Sequence, residues 1–405
     1  MRWLIVEDSL ESRRGHWFEY LEGFCRKLLE LGDEVTLLVS KRAEAFIPEQ
    51  LDAKPILPES AFSKMSDGAS AFKRYGRIPF HSWQTFWAVW KFLRKAPAPN
   101  VIFVPTVIVH HLLAWVALAR LGIVGKKSCL LLFFPTLPIL KTGDTITLDG
   151  SSSSMLMQVL FRMLCFGIKR GTIVFGVETH AMKEAAEHLF SVPFTYFPHP
   201  VHSLQGTPPP ITDHRSSPFT MACYGQARHE KGSDLLVKAI GIYLEKNPQS
   251  RARFVLQWME DFPGADGQII RLSESLKKNA RVEIVNRLFE FGEHAKRLAW
   301  TQALLLPYRC SSYGLRVSRV AIEAMVNGIP MVATRGTTLA EQTGEFGATV
   351  LCEDENVQSL VSAIEEMERN CEALAAKARE QQEEAQLHFS VQQFRHTISL
   401  ITKTV

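Results

Sequence analysis

Short apolar runs alternate with longer helix-patterned segments from one end of the chain to the other, and this alternation limits the folds that 405 residues can adopt. Strands that alternate with helices form parallel sheets covered by helices on both faces. We therefore predict an α/β protein with two Rossmann-like, doubly wound parallel-sheet domains facing across a cleft. Because such sheets bind ligands at the carboxyl ends of their strands, the cleft is the predicted active site.

Proline content marks the boundary between the two predicted domains. The segment 206–218 contains three consecutive prolines and few apolar residues, which is typical of a linker. The predicted N-terminal domain is therefore 1–205 and the predicted C-terminal domain 219–385, with 386–405 as a helix that can cross back to the first domain. Within the first domain, the polar segment 142–154, with its glycines and four consecutive serines, is predicted to be a mobile loop.

Charge and cysteine content narrow the range of partners and compartments. The net charge of +4 is too small for a dedicated nucleic-acid surface. The net positive charge lies in the first half, where residues 1–205 hold 23 Lys and Arg against 18 Asp and Glu. This fits either an anionic acceptor or membrane surface or ordinary surface variation. The seven cysteines form no C-x-x-C pair, as expected of reduced thiols in a cytoplasmic protein. We find no signal peptide or membrane span, so the chain is soluble or at most lies on a membrane.

The strongest functional signal is the segment 304–338, LLLPYRCSSYGLRVSRVAIEAMVNGIPMVATRGTT. An apolar strand ends there in a turn rich in small residues, an amphipathic helix follows, and a second strand ends in a Gly-Thr-Thr turn. Such a turn directs backbone N–H groups and the positive end of a helix dipole at one point, as in a phosphate-binding site. Glu323 is spaced to reach a ribose hydroxyl pair of the same ligand, unless it is an ordinary solvent-facing glutamate. The predicted donor-binding residues of this segment are Gly314, Leu315, Arg316, Ser318, Glu323 and Thr337.

A second signal follows the first strand of the C-terminal half, where 224–232 reads YGQARHEKG. Gly225 permits a tight turn, and Arg228 and Lys231 are two cations three residues apart that can clamp a diphosphate. Solvated charge is the alternative interpretation of this turn when it is taken alone. Together with the first signal, at the same end of the same predicted sheet, it becomes far more specific.

These two segments resemble the donor-binding half of the retaining group 1 glycosyltransferases, which have the GT-B fold. The run GIPMVA after Glu323 is similar to that family's helix-and-strand signature, and the run 228–232 to its basic diphosphate loop. The run FPHPV at 197–201 resembles the crossover into the linker, and Gly15 with His16 the opening loop. The resemblance implies transfer of a hexose-type sugar, with retention, from a sugar nucleotide to a glycan, lipid-linked or small-molecule acceptor in polysaccharide biosynthesis.

No separate cofactor or metal is expected beyond the sugar nucleotide, which is a co-substrate. The resemblance implies that Arg228, Lys231 and Arg316 neutralise the departing diphosphate in place of a metal ion, and the chain has no Asp-x-Asp segment. Two departures from the family leave the donor sugar open: Leu315 stands where the family has its first glutamate, and Gln226 where it has its arginine. A degenerate, non-catalytic binding subunit therefore remains an alternative, as does a sugar-nucleotide epimerase or phosphorylase.

The acceptor and any catalytic base should come from the N-terminal domain, where several polar residues follow predicted strands. His16 is the preferred candidate and Glu178 the second, while Gly15 would let the backbone approach the donor. The histidines at 110, 111 and 180 are further candidates, and a structural role is the alternative for each of them.

Aromatic residues recur at helical spacing between Trp83 and Trp90 and are followed by Lys91, Arg94 and Lys95. A basic aromatic helix could lie at a membrane interface, close to a lipid-linked acceptor. Packing in the core explains the same stripe and is the preferred interpretation. The segment 155–170 poses the same choice.

Overall fold

The computed structural model forms two compact units. The first unit comprises Met1–Leu140, Ile146–Pro200 and Val391–Val405, and the second comprises Lys141–Thr145 and Val201–Ser390. The described residues are 1–13, 17–61, 71–125, 128–143, 145–201, 219–290 and 292–403, with the backbone alone for 71–76 and 403. The predicted linker 206–218 lies outside them.

The first unit is built on a seven-stranded, fully parallel sheet with the order β3-β2-β1-β4-β5-β8-β9. Its elements are β1 (Arg2–Glu7), α1 (Trp17–Glu30), β2 (Glu34–Ser40), α2 (Phe46–Leu51), β3 (Ala53–Leu57), α3 (Ala71–Leu93), β4 (Val101–Val104), α4 (Val109–Arg120), β5 (Cys129–Phe133), β6 (Ile139–Thr142), β7 (Thr145–Leu148), α5 (Ser152–Ile168), β8 (Ile173–Val177), α6 (His180–Phe190) and β9 (Thr195–Tyr196). The central strands β4, β5 and β8 are buried along their whole length, as continuous apolar runs in a parallel sheet should be.

The second unit is built on a six-stranded parallel sheet with the order β14-β11-β10-β15-β16-β17. Its elements are β10 (Thr220–Cys223), a 3-10 turn (His229–Lys231), α7 (Ser233–Lys246), β11 (Arg253–Gln257), β12 (Phe262–Pro263), β13 (Ile269–Ile270), α8 (Glu274–Lys277), β14 (Val282–Val285), α9 (Glu293–Ala299), β15 (Ala303–Leu306), α10 (Cys310–Tyr313), α11 (Arg319–Val326), β16 (Met331–Thr334), α12 (Thr338–Phe346), β17 (Thr349–Cys352), α13 (Val357–Arg369), α14 (Cys371–Glu380) and α15 (Gln382–His388). The prediction of two Rossmann-like, parallel-sheet domains is confirmed.

The last helix, α16 (Val391–Lys403), belongs to the first unit. Phe394 packs into the aromatic core of that unit against Phe24 and Phe103. Arg395 donates to both carboxylate oxygens of Asp33, at 2.7 and 2.8 Å. The chain therefore ends on the unit in which it began.

The prediction of a loop at 142–154 is wrong. β6 and β7 form a two-stranded sheet there, and α5 begins at Ser152. The apolar and β-branched residues of ILKT and TITL alternate with the period of a strand, and Ser151 Oγ caps the helix by accepting from the N–H of Ser154. The polar composition of this segment conceals both the strand alternation and the helix cap.

The region 41–80 contains α2 and β3, neither of which the sequence pattern indicated. β3 carries Pro55, a residue that cannot donate to a sheet, and it lies at the edge of the sheet, where a missing N–H is tolerated. Within the described residues, none of the helices is both long enough and apolar enough to cross a bilayer.

Candidate functional site

Two loops of the second unit leave neighbouring strands at the point where the strand order reverses. From β10 the chain first adds β11 and β14 on one side of the sheet and then adds β15, β16 and β17 on the other side. β10 is therefore hydrogen-bonded to β11 on one side and to β15 on the other. Such a switch point leaves a crevice at the carboxyl ends of the two strands. The loops 224–232 and 307–318 therefore both begin at the expected ligand position.

The two loops are in direct backbone contact. Gly232 has φ 63°, and a Cβ on it would lie 2.0 Å from the carbonyl oxygen of Pro307, so no other residue fits there without a shift. The N–H of Arg309 donates to the carbonyl oxygen of Glu230 at 3.1 Å. The predicted convergence of these two loops is thus present in the fold.

Arg309 links the two loops by hydrogen bonds and ion pairs. Its buried guanidinium donates to Asp234 Oδ1 and Oδ2, at 2.8 and 2.9 Å, to both oxygens of Glu355 and to the carbonyl oxygen of His229. Burial raises the pKa of Asp234, but the hydrogen bonds from Arg309 outweigh it and bring that pKa below its usual range. The pair is a bidentate buried ion pair and holds the first turn of α7 against β15.

Lys231 is a partly buried cation without a carboxylate partner. Among the described residues, no carboxylate lies within ion-pair distance of its ammonium group, which lies 5.8 Å from the centre of the Tyr308 ring. The ammonium also lies 2.7 Å from where a Cβ on Gly225 would be, so it sits over the backbone of that turn. Burial, with Arg228 nearby, lowers the pKa of Lys231. Such a cation is stabilised by an anionic ligand.

Two arginines, one from each loop, share a single carboxylate beside this lysine. Glu230 Oε1 lies 3.5 Å from Arg228, and Glu230 Oε2 lies 3.6 Å from Arg316. Both guanidinium groups are more than two-fifths exposed, at 54% for Arg228 and 42% for Arg316. Two arginines therefore flank one carboxylate, and Lys231 on the same loop as Arg228 adds a third positive charge. The excess positive charge matches a diphosphate.

Glu323 offers a buried acceptor on the second turn of α11. Ser318 Oγ caps this helix by accepting from the N–H of Ala321 at 3.3 Å. Arg319 donates to Glu323 Oε1 at 2.9 Å, whereas Oε2 is buried without a hydrogen-bond partner in the described part of the chain and lies 3.6 Å from His294 Nδ1. A free carboxylate oxygen of this kind can accept from a ligand hydroxyl.

The remaining predicted residues of this segment have structural duties. Thr337 Oγ1 donates to the carbonyl oxygen of Thr334 at 2.6 Å and caps α12, so both of its hydrogen-bonding roles are occupied within the protein. Leu315 is buried in the apolar core, and the N–H of Gly314 donates to Cys310 at 2.8 Å to end α10. These residues shape the loop.

Comparison with known proteins shows what this part of the chain is similar to. Residues 209–386 match the family of glycosyl transferases group 1. Over 161 residues the chain is 29% identical to the lipopolysaccharide core biosynthesis mannosyltransferase LpsB of Rhizobium meliloti (strain 1021), a match that spans 38% of this chain and 40% of that relative's length.

Two solved structures cover the entire chain and identify the fold. Sucrose-phosphate synthase from Thermosynechococcus elongatus is 14% identical with a TM-score of 0.65, over 100% of this chain and 98% of that one. Anabaena HepE, solved in complex with UDP-glucose, is also 14% identical with a TM-score of 0.63, over 100% of both chains. At this identity the likeness concerns the fold alone, and the predicted GT-B fold is confirmed.

In the first unit, Glu178 is joined to a histidine that the sequence did not single out. Glu178 Oε1 is hydrogen-bonded to His199 Nδ1, and both residues are buried. Tyr20 stacks on the His199 ring at 5.1 Å, and among the described residues His199 Nε2 has no hydrogen-bond partner. The prediction that Glu178 takes part in catalysis therefore becomes a prediction about a carboxylate–imidazole pair.

The other predicted residues of the first unit differ in their surroundings. Gly15 and His16 lie outside the described residues. His110 is buried, and burial, with His111 and His81 nearby, lowers its pKa to about 4, so it is a neutral ring at ordinary pH. His180 is exposed, with its ring 4.0 Å from that of Tyr196.

Asp8, His81 and His111 offer donor atoms that could together hold a metal ion, since these atoms lie within 4.8 Å of one another. Asp8 Oδ2 lies 2.9 Å from His81 Nε2 and 3.0 Å from His111 Nε2. The N–H of Ile108 donates to His111 Nδ1 at 3.2 Å, which puts the proton of the neutral ring on Nε2. Because Nε2 then donates to Asp8, hydrogen bonds account for the cluster.

Sequence reasoning missed Arg309, Asp8 and His294. Arg309 lies three residues after the end of β15, and Asp8 directly follows β1, so position at the carboxyl end of a strand was a signal for both. His294 begins a helix whose approach to Glu323 depends on tertiary packing, and no local pattern could have found it.

Proposed function

We propose that this protein transfers a hexose from a nucleotide-diphosphate sugar to an acceptor hydroxyl. In the reaction, the bond between the anomeric carbon and the diphosphate oxygen breaks, and a bond from that carbon to the acceptor oxygen forms. The acceptor proton leaves with the diphosphate or passes to solvent. The observation that supports this proposal above all is that Arg228 and Arg316 flank one carboxylate, beside Lys231 without a carboxylate partner among the described residues, on the loops that follow β10 and β15.

In this proposal, Lys231, Arg228 and Arg316 neutralise the charge that grows on the leaving diphosphate. Groups already oriented toward that charge stabilise the transition state without reorganising, and they favour transfer that needs no metal ion. Glu323 Oε2 accepts a hydrogen bond from a donor hydroxyl, most simply on the ribose. Retention of the anomeric configuration is proposed from the family that residues 209–386 match.

The named relatives suggest which donors to examine first. HepE was solved with UDP-glucose, and LpsB is named as a mannosyltransferase of lipopolysaccharide core biosynthesis. We propose a UDP- or GDP-hexose as donor and a growing glycan or lipid-linked saccharide of polysaccharide biosynthesis as acceptor. The seven cysteines are all free, which favours a reducing, cytoplasmic location.

Calorimetric titration of UDP- and GDP-hexoses tests the donor site. We expect the wild-type protein to bind one nucleotide class and the double variant Arg228→Ala/Lys231→Ala to lose that binding. The matched control is Lys238→Ala, which removes an exposed cation from α7. Identical binding by the double variant would reject the proposed site, and binding without transfer or donor hydrolysis would indicate a non-catalytic subunit. Conversion of the donor sugar without any acceptor would indicate an epimerase.

A further inference from the structure

Three helices of the first unit form one layer on the same face of its sheet. α3 packs on α4, and α4 packs on α5. The crossovers between β3, β4, β5 and β8 all run in one direction across the sheet, which puts their helices on a common face. We call the exposed side of α3, α4 and α5 the basic helix layer.

The segment that contains these three helices carries an unusual concentration of positive charge. Residues 68–177 contain 13 Lys and Arg against 2 Asp and Glu, a net charge of +11 in a chain whose total is +4. The helices α3, α4 and α5 contain no acidic residue at all. Six of these 13 cations lie on α3, α4 and α5 themselves. The rest of the chain is accordingly negative, so the positive charge is concentrated in 68–177 and is no general property of the protein.

The same layer exposes large apolar side chains. Phe80 and Trp83 of α3 are 59% and 58% exposed, and Met155 and Val159 of α5 are 58% and 54% exposed. Packing in the core therefore does not explain Trp83. Aromatic residues within a basic helix face are typical of helices that lie in the interface of a bilayer.

A groove of about 840 Å³ runs beside the exposed aromatics. Phe80, Trp83 and Trp87 line its apolar wall, and Lys41 and Lys91 lie at its rim. The one carboxylate of its lining, Glu59, is paired with Arg42. An apolar trough with an unneutralised cationic rim is complementary to a lipid that has an anionic headgroup.

We propose that the basic helix layer docks on the surface of an anionic lipid bilayer, with Phe80 and Trp83 inserted at the interface. Lys91, Arg94 and Lys95 are exposed and follow Trp83 along α3, so they reach the headgroups while the aromatics reach the acyl region. Arg94 stacks on Trp90, with 4.9 Å between the guanidinium carbon and the ring centre, which holds that charge at the surface. Docking would bring the enzyme to a lipid-linked acceptor, but it does not depend on the donor site.

Vesicle flotation with the full chain tests this proposal. We expect the protein to float with vesicles of phosphatidylcholine and phosphatidylglycerol in equal parts, to remain in solution with phosphatidylcholine alone, and to be released by high salt. Lys91→Gln/Arg94→Gln/Lys95→Gln should weaken partitioning on the order of 100-fold. Phe80→Ser/Trp83→Ser should weaken it at least roughly tenfold.

Matched controls separate docking from general effects of charge and folding. Trp300→Ser removes an aromatic residue that is 70% exposed in the second unit, and Lys238→Gln removes an exposed cation there, so both should float like the wild type. Circular dichroism and nucleotide titration report whether each variant is folded and whether its donor site is intact. Equal flotation on neutral vesicles, unchanged flotation of both layer variants, or tighter binding to random-sequence DNA than to vesicles would overturn the proposal.

Discussion

Charged side chains gather at the carboxyl ends of strands in both units, but they are balanced differently. In the first unit, buried Asp8 accepts hydrogen bonds from His81 and His111, so its negative charge is stabilised within the protein. In the second unit, Arg309 is paired in the same manner, whereas Lys231 beside it has no carboxylate partner among the described residues.

The difference shows which arrangement indicates a ligand. The Asp8 cluster has the donor atoms of a metal site, yet its hydrogen bonds already satisfy them. The loop containing Lys231 does not have the donor atoms of a metal site. It does place a positive charge without a carboxylate partner at a switch point of the sheet. Unbalanced buried charge is therefore the better guide here, and the following variants test that distinction.

Breaking the balanced pair of the second unit should have the largest effect. Arg309→Ala leaves Asp234 as a buried carboxylate without its partner, so we expect the free energy of unfolding to fall by about 4 kcal/mol. Urea denaturation measures it. The control Arg335→Ala breaks an exposed pair with Glu353 and should cost less than about 1 kcal/mol. Equal losses in the two variants would contradict the distinction between buried and exposed pairs.

The first unit should respond to pH through Glu7, which adjoins Asp8. Burial, followed by the Asp8 charge, raises the pKa of Glu7 from its ordinary 4.5 to about 7. Between these pH values the folded state keeps a proton that the unfolded chain has lost, so stability falls as pH rises, by roughly 3 kcal/mol in all. Glu7→Gln should remove this fall and be more stable than the wild type at pH 8, but nearly equal at pH 4.5.

Thermal unfolding followed across this pH range measures the effect, and Glu22→Gln is the control. Glu22 is a half-exposed partner of Arg26 on α1 and should leave the pH profile unchanged. Parallel stability curves for Glu7→Gln and the wild type would mean that Glu7 titrates normally.

Much of the fold could be predicted from the sequence because parallel strands are buried on both faces. Runs such as 129–133 and 303–306 are apolar throughout and bounded by polar residues, which gives both the strand and its parallel setting. β3 was not predicted because it is an edge strand that contains a proline and exposes two of its five residues, so it lacks a continuous apolar run. The two strands at 139–148 were not predicted because each has only four residues and about half of those residues are polar.

The candidate site was predictable only where spacing along the chain decides it. Arg228, Lys231 and Glu323 follow strands or lie on a defined helix turn, so sequence position sufficed to select them. Whether each has a partner depends on distant residues: Arg309 meets Asp234 across 75 positions, and Glu323 meets His294 across packed helices. Sequence therefore proposed the ligand-facing residues, and only the fold could tell balanced charges from unbalanced ones.

Removing the unbalanced cation should weaken binding without weakening the fold. Lys231→Met takes away a cation that lacks a carboxylate and retains an apolar stem, so the free energy of unfolding without ligand should not fall and can rise by about 1 kcal/mol. Affinity for UDP or GDP should drop on the order of 100-fold, about 3 kcal/mol. Calorimetry and urea denaturation measure the two quantities, with Lys238→Met as control. A destabilised variant that binds normally would reverse the roles assigned to Lys231 and Arg309.

The smallest effect, on Glu323, is the sharpest test of what the unbalanced region binds. One oxygen of Glu323 accepts from Arg319, and the other lies 3.6 Å from His294 Nδ1 without a hydrogen-bond partner in the described chain. Glu323→Gln therefore preserves the fold but weakens acceptance from a ligand hydroxyl. We expect roughly tenfold weaker binding of UDP or GDP, about 1.4 kcal/mol, with Glu341→Gln on the exposed side of α12 unchanged. If the hydroxyl is on the ribose, the wild type should prefer UDP to 2′,3′-dideoxy-UDP and the variant should not. If Glu323→Gln still prefers UDP to 2′,3′-dideoxy-UDP, the ribose does not bind at α11. The three cations would then remain the proposed diphosphate site.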